Sequence, residues 1–219
     1  MSQSIQTDPL TGLLTRAAFE AEFKALMGSC AEAGQSLSLA FLDIDHFLEI
    51  NETHGHAGGD QVLKTIAAVL SEMAGEDTLV ARYGGDEFVL LFPYTEREQA
   101  FLMMESIRAE IESCKTFGSV EAQITIGAGI ASYPIDASQE SEILRKADQA
   151  LYRAKMAGRN TVRLAYEEKM APKTSHYTLT QLERLSNLAK KEGVVEAVLL
   201  REALYDLVIK YEVNKIESR

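Results

Sequence analysis

The chain has 219 residues, a net charge of −11, 46% hydrophobic residues and 25% charged residues, a balance too apolar for a disordered chain and long enough to bury a core. No apolar run approaches the roughly 20 residues that span a bilayer, and the acidic balance argues against a chain that coats nucleic acid. The two cysteines, Cys30 and Cys114, stand apart and make neither a metal cluster nor a disulfide framework; with no basic-then-apolar leader in MSQSIQTDPL, the expected compartment is the cytoplasm. Leu13 to Ala31 is predicted to be a helix, its apolar residues at roughly helical spacing and Gly34 ending the region. Leu37 to Ile44 (LSLAFLDI) reads as a short buried strand that ends in acid. Gly58-Gly59-Asp60 is expected to open a second helix with Val62, Leu63, Ile66, Val69 and Leu70 on one face. Leu79 to Tyr83 and Phe88 to Phe92 read as a hairpin around Gly84-Gly85-Asp86-Glu87, with glycine expected to supply positive φ at the turn. Residues 95–115 form a long amphipathic helical pattern, Ile124 to Ala131 a strand, Glu140 to Met156 a helix ended by Gly158, and Thr161 to Leu164 a last strand. The alternation predicts an α/β layered domain over residues 1–168.

A linker is expected at Glu167 to Lys173, which contains Ala171-Pro172. Beyond it, residues 174–219 suggest a small strand-helix-helix module. His176 to Leu179 is its short strand, a first helix carries Leu182, Leu185, Leu188 and Ala189 up to Gly193, and a second carries Val198, Leu199, Ala203, Leu204, Leu207 and Val208. Charge divides the same way: residues 1–168 carry 13 Lys and Arg against 26 Asp and Glu, and the remainder 9 against 7. So short a module does not bury that much apolar surface alone, and it is expected to pack on another copy or on the main domain.

The residues that suggest chemistry are acids at element ends. Asp43 and Asp45 alternate onto one face of the first strand, and Asp86-Glu87 tip the hairpin. If the two strands are neighbours, the acids converge as hard oxygen ligands suited to Mg²⁺ with substrate phosphates; the other reading is that they are solvated loop residues. Asn51 and Asp60 flank Thr53-His54-Gly55-His56-Ala57-Gly58-Gly59. Together an amide and a carboxylate match a guanine edge, while separately they read as a turn residue and a helix N-cap. His54 and His56 are a weak zinc signal without a third ligand. Lys155 and Arg159, four apart at a helix end, suit phosphates or simply the helix C-terminus.

Gly84-Gly85-Asp86-Glu87-Phe88 resembles the signature of the GGDEF domains, the diguanylate cyclases. Asp8-Pro9-Leu10-Thr11-Gly12-Leu13 is similar to that family's opening motif. Phe41-Leu42-Asp43-Ile44-Asp45-His46-Phe47 and the stretch from Asn51 to Asp60 match its metal and guanine segments. Arg82-Tyr83 precedes the signature, and Ala147 to Lys155 with Gly158-Arg159-Asn160 resembles the closing motif. The likeness covers residues 7–165. It implies a palm-like α+β fold with a mostly antiparallel sheet flanked by helices. It also implies condensation of two GTP into cyclic di-GMP with release of pyrophosphate, by two domains that face each other. By this resemblance Asp43 and Asp86, with the Ile44 carbonyl, hold Mg²⁺ or Mn²⁺. Asn51 and Asp60 recognise guanine, and Glu87 assists at the attacking 3′-hydroxyl. Lys155 and Arg159 contact the phosphates with backbone N–H groups near Phe47 and Leu48.

Two positions depart from the family pattern. Leu48 stands where a lysine is usual, which removes a cation near the triphosphate and implies reduced turnover. Gly75-Glu76-Asp77-Thr78 stands where many members carry an Arg-x-x-Asp inhibitory site. The tail, from Leu182 to Val194 and Leu200 to Leu204, resembles ribbon-helix-helix proteins, which are obligate dimers and often bind DNA. Its strand has few basic neighbours, so a homodimeriser through residues 174–219, taking the place of an N-terminal one, is favoured over a DNA-binding tail. The alternative function is a weak or inactive domain acting as a GTP- or cyclic di-GMP-responsive regulator with a DNA-binding tail. No membrane partner is expected.

Overall fold

The computed structural model describes residues 6–165 and 175–197, with 199, 200, 203, 204 and 207 beyond them. The chain divides into two compact units, residues 1–168 and 169–219. The first unit contains a six-stranded mixed sheet. Its strands are β1 (Leu14–Thr15), β2 (Leu37–Ile44), β3 (Leu79–Gly84), β4 (Glu87–Pro93), β7 (Ile126–Tyr133) and β8 (Val162–Leu164), in the order β1-β3-β4-β2-β7-β8. The inner four are antiparallel neighbours and the two outer pairs are parallel. A separate small hairpin joins β5 (Thr116–Phe117) to β6 (Val120–Glu121).

All eight residues of β2 are buried, which explains why it reads as a continuous apolar run rather than an alternation. Its residues nevertheless divide between two cores. Ala40, Leu42 and Ile44 join the core that holds Val62, Ile66 and Leu70 of helix α2 (Phe47–Met73) and Met104 and Ile107 of α3 (Arg97–Ser113). Leu37, Leu39 and Phe41 join the core that holds Phe19, Phe23 and Met27 of α1 (Arg16–Ala33) and Ile143, Ala147 and Leu151 of α4 (Glu140–Met156). Two helices therefore cover each face, as expected for an antiparallel sheet buried on both sides.

Several elements differ from the sequence expectation. The first helix begins at Arg16, not Leu13, because Leu14 and Thr15 pair with Ala81 and Arg82 as an edge strand and the Thr15 hydroxyl accepts from the Ala18 N–H at 3.3 Å. The second helix begins at Phe47, well before Gly58, and bends at Gly55, whose φ of 71° and ψ of 169° break the helical run. Gly84 and Gly85 are not left-handed. Instead the register shifts between Arg82 and Gly84, an irregularity that closes the hairpin without a primed turn. In the second unit, residues 175–178 carry no strand. Thr178 caps α5 (Leu179–Glu192) in a reciprocal capping box with Gln181, and Gly193 closes the helix at φ 68°. The expected strand at His176 to Leu179 is thus replaced by a helix start. The linker from Glu167 to Lys173 lies outside the described residues, as do Val198 and Val208 of the expected second tail helix. No helix among the described residues is long and apolar enough to cross a membrane.

Gly129 sets how closely α4 lies on β7: a Cβ there would run into the Ala147 carbonyl oxygen and the Leu151 backbone nitrogen. Overpacking against backbone cannot be relieved by a rotamer change. Gly129→Ala is therefore expected to destabilise the chain by about 1–3 kcal/mol in urea unfolding; a loss under about 0.5 kcal/mol would contradict this packing.

Candidate functional site

The antiparallel ladder between β2 and β4 pairs Asp43 with Glu87. At the same end the Ile44 N–H donates to the Asp86 carbonyl at 3.3 Å, so the strand end and the hairpin tip are joined through backbone. The expectation that the two acidic tips converge is met. Asp43 is 8% exposed, and Lys155, in the last turn of α4, places Nζ 2.7 Å from its Oδ2. Burial pushes the Asp43 carboxyl up; the Lys155 hydrogen bond and charge oppose this, and the charges of Asp86 and Glu87 add to the rise. The cluster holds more negative charge than Lys155 neutralises.

Two residues that the sequence names only as parts of family motifs, without a role, brace the hairpin tip. Arg82 donates from Nε and Nη2 to the Gly85 carbonyl at 3.0 and 2.7 Å and lies 3.3 Å from Asp8 Oδ1. Asp8 in turn accepts from the Thr11 N–H at 2.9 Å and from the Thr11 hydroxyl at 2.7 Å. Burial alone would raise the Asp8 carboxyl, but the Thr11 hydrogen bonds and the Arg82 charge together hold it below its ordinary value. The Asp-x-x-Thr spacing at 8–11 was the available signal for this turn; nothing local ties it to Arg82, 74 residues away.

The remaining candidates lie around α2 and after α4. Phe47 and Leu48 form the first turn of α2, and Leu48 is 71% exposed. Asn51 Nδ2 donates to the Phe47 carbonyl at 3.2 Å. A Cβ on Gly59 would collide with the Asn51 amide oxygen, so the glycine seats the second segment of α2 against Asn51. Asp60, next in the chain, is exposed. Arg159 is also exposed, in the loop after α4. Lys155, expected at the phosphates, is paired with Asp43. A Cβ on Gly85 would meet only open space, so this glycine leaves the hairpin tip bare.

Among the described residues, no three His, Cys, Asp or Glu side chains are grouped to hold a metal ion, at His54 and His56 or elsewhere. A closed protein cage of the zinc kind is therefore not formed. The donor chemistry fits a different ion. Mg²⁺ needs only one or two carboxylates and takes its other ligands from water and phosphate, and Asp43, Asp86 and the Ile44 carbonyl are all hard oxygen donors.

A palm-like mixed sheet with an acidic strand end opposite an acidic hairpin tip defines a nucleotidyl cyclase-like domain. Comparison with known proteins agrees: the family described as "Diguanylate cyclase, GGDEF domain" matches residues 5–161, and the chain belongs to this GGDEF family. It is 42% identical over 164 residues to the diguanylate cyclase DgcP of Pseudomonas aeruginosa, covering 74% of this chain and 24% of that protein. It is 33% identical over 160 residues to the cyclic di-GMP phosphodiesterase NbdA of the same species, covering 73% of this chain and 20% of that one. The chain thus spans about a quarter or less of the length of these relatives. The GGDEF domain of DgcB from Caulobacter crescentus, solved in complex with c-di-GMP, superposes with a TM-score of 0.69 at 36% identity over 76% of this chain and 97% of that one.

The buried, repelled Asp43 carboxylate costs the fold stability when ionised. Its folded pKa lies above the unfolded one, so this cost is present at neutral pH and disappears as pH falls through the folded pKa and below the unfolded value. Asp43→Asn is expected to raise the Tm at pH 7.5, with the gap to wild type closing as pH is lowered. A Tm lowered by the substitution at every pH would contradict the charge reading.

Proposed function

We propose that this chain is a diguanylate cyclase that condenses two GTP molecules into cyclic di-GMP and releases pyrophosphate. The observation that carries the reading is the meeting of Asp43, Asp86 and Glu87 beside Lys155 in a domain of the GGDEF family. In this proposal Asp43, Asp86 and the Ile44 carbonyl hold Mg²⁺ or Mn²⁺, which when bound offsets the negative charge of the cluster and of the triphosphate. Asn51 accepts from and donates to the guanine edge, and Asp60 accepts from its ring N–H and amino group. The backbone N–H groups of Phe47 and Leu48, free at a helix start, meet the phosphates. Lys155 leaves Asp43 as the substrate enters and, with Arg159, moves to the phosphate oxygens. Glu87 assists the 3′-hydroxyl of one GTP as it attacks the α-phosphorus of the other. That attack forms the new P–O bond, breaks the α–β P–O bond and expels pyrophosphate, and the reciprocal attack by the other 3′-hydroxyl closes the ring and expels a second pyrophosphate.

Each domain holds one GTP, so turnover requires two domains face to face. We assign dimerisation to residues 174–219. What supports this is the apolar row Leu182, Leu185 and Leu188 on α5, with Leu182 and Leu188 41% and 45% exposed. The alternative, a GTP- or cyclic di-GMP-responsive regulator with a DNA-binding tail, is less well supported, because residues 175–178 carry no strand and every expected carboxylate of the site is retained.

Chromatography and mass analysis of the products formed from GTP and Mg²⁺ test the proposal. Cyclic di-GMP is expected from the wild type and none from Asp86→Ala; bound but unconverted GTP at dimeric concentrations favours the regulator. Leu48 is exposed, so Leu48→Lys costs no packing and restores a cation at the phosphate side. It is expected to raise kcat about tenfold or more, within the range by which one electrostatic donor changes turnover. Deletion of residues 170–219 is expected to lower the specific activity and make it rise steeply with protein concentration, because the second domain then has to be met by diffusion. Equal activity with and without the tail would remove its assigned role.

A further inference from the structure

Just beyond β2 the chain reaches Asp45, which is 4% exposed. Its Oδ2 accepts from the Thr125 hydroxyl at 2.7 Å and from the Asn160 backbone N–H at 2.9 Å. Its Oδ1 is buried with no hydrogen-bond partner in the structure. That oxygen lies beside Gly127, near where Leu151 and Ala154 of α4 pack. A buried carboxylate with one oxygen unsatisfied costs free energy relative to an apolar side chain of the same size. Stability alone does not account for an aspartate here, and such groups cluster where a site needs them.

The Asn160 bond falls in the strained part of the loop that follows α4. Arg159 and Asn160 have φ of 64° and 42°, two successive non-glycine residues in the left-handed region, which persists only where surrounding contacts hold it. The Arg159 N–H donates to the Ala154 carbonyl at 3.1 Å. The Asn160 side chain donates to Glu112 Oε1 and accepts from Arg108 Nη1, both at 2.7 Å. These contacts fasten the loop to α4 and α3. Of the named anchors, Asp45 is the one that fastens it to the strand bearing Asp43.

We infer that Asp45 is a positioning residue: by holding the Asn160 N–H it sets the Arg159 loop at a fixed distance from Asp43. Cations and carboxylates carried by elements far apart in sequence then act on one triphosphate. The inference rests on the phosphate role proposed above for Arg159. Misplacement of a binding group by about 1 Å weakens its action by up to about 100-fold, so a carboxylate that never touches the nucleotide still governs it.

The test is a mutant cycle on the full chain, reading the Kd for an α,β-methylene analogue of GTP in Mg²⁺ by calorimetry. The analogue removes turnover from the measurement. Arg159→Ala and Asp45→Ala are each expected to weaken binding about tenfold, and the double variant to bind no more than about twofold worse than Arg159→Ala, because both changes remove one contribution. Asp45→Asn keeps an oxygen acceptor for Thr125 and Asn160 and is expected to bind within about threefold of wild type. Asp45→Ser, too short to reach Asn160 yet still polar, enters the same cycle in case Asp45→Ala does not fold. Hydrogen exchange at the Asn160 amide is expected to accelerate in Asp45→Ala and Asp45→Ser but not in Asp45→Asn. Wild-type affinity in the Asp45 variants, or losses that add fully to that of Arg159→Ala, would overturn the inference while leaving the site reading intact. Wild-type affinity in Arg159→Ala itself would overturn the phosphate reading, and the inference with it.

Discussion

The structure depends on the antiparallel register between β2 and β4. Because Asp43 faces Glu87 across that ladder, one hydrogen-bonded pairing places carboxylates from two stretches of chain at the same sheet end. A slip by one residue would turn Asp43 towards the core that Leu42 and Ile44 fill and bring an apolar residue to the site. The apolar runs on either side prevent the slip. Leu37, Leu39 and Phe41 are committed to the α1–α4 face and Ala40, Leu42 and Ile44 to the α2–α3 face, so the energy that fixes the site comes from burial well away from it.

The same arrangement concentrates charge where the fold would do better without it. Asp43 is buried, repelled by Asp86 and Glu87 and compensated by Lys155. Sites that bind charged ligands carry this kind of stored electrostatic cost, because the ligand supplies the missing opposite charge. Rigid bracing keeps the carboxylates together against their repulsion. Arg82 clamps the hairpin tip to Asp8, and Gly129 lets α4 press close to the sheet and bring Lys155 over Asp43.

Much of this was legible in the sequence. The continuous apolar strand ending in Asp43, the Glu140–Met156 helix and the acids of the hairpin tip are local patterns with a local cause, and each appears where it was expected. The segment Asn51 to Ala57 is not legible as helix, since Gly55 interrupts it and its polar side chains, exposed from Glu52 to Ala57, show no period. The Arg82–Asp8 clamp and the Asp45–Asn160 bond join residues 74 and 115 positions apart, and no spacing rule reports such pairs. At Thr178 two signals competed. The pattern from His176 to Leu179 suits a short strand, but Thr178 and Gln181 form a capping box, and satisfying the free N–H groups of the helix start decides the outcome.

In the function proposed, a divalent cation together with a nucleoside triphosphate completes the carboxylate cluster. The most direct test is calorimetric titration of the full chain with the non-reacting GTP analogue, once with Mg²⁺ and once with the metal removed by chelator. Binding is expected to require the cation and to be lost in Asp43→Ala, because without the metal the triphosphate meets an acidic site. Equal affinity with and without the cation would contradict it.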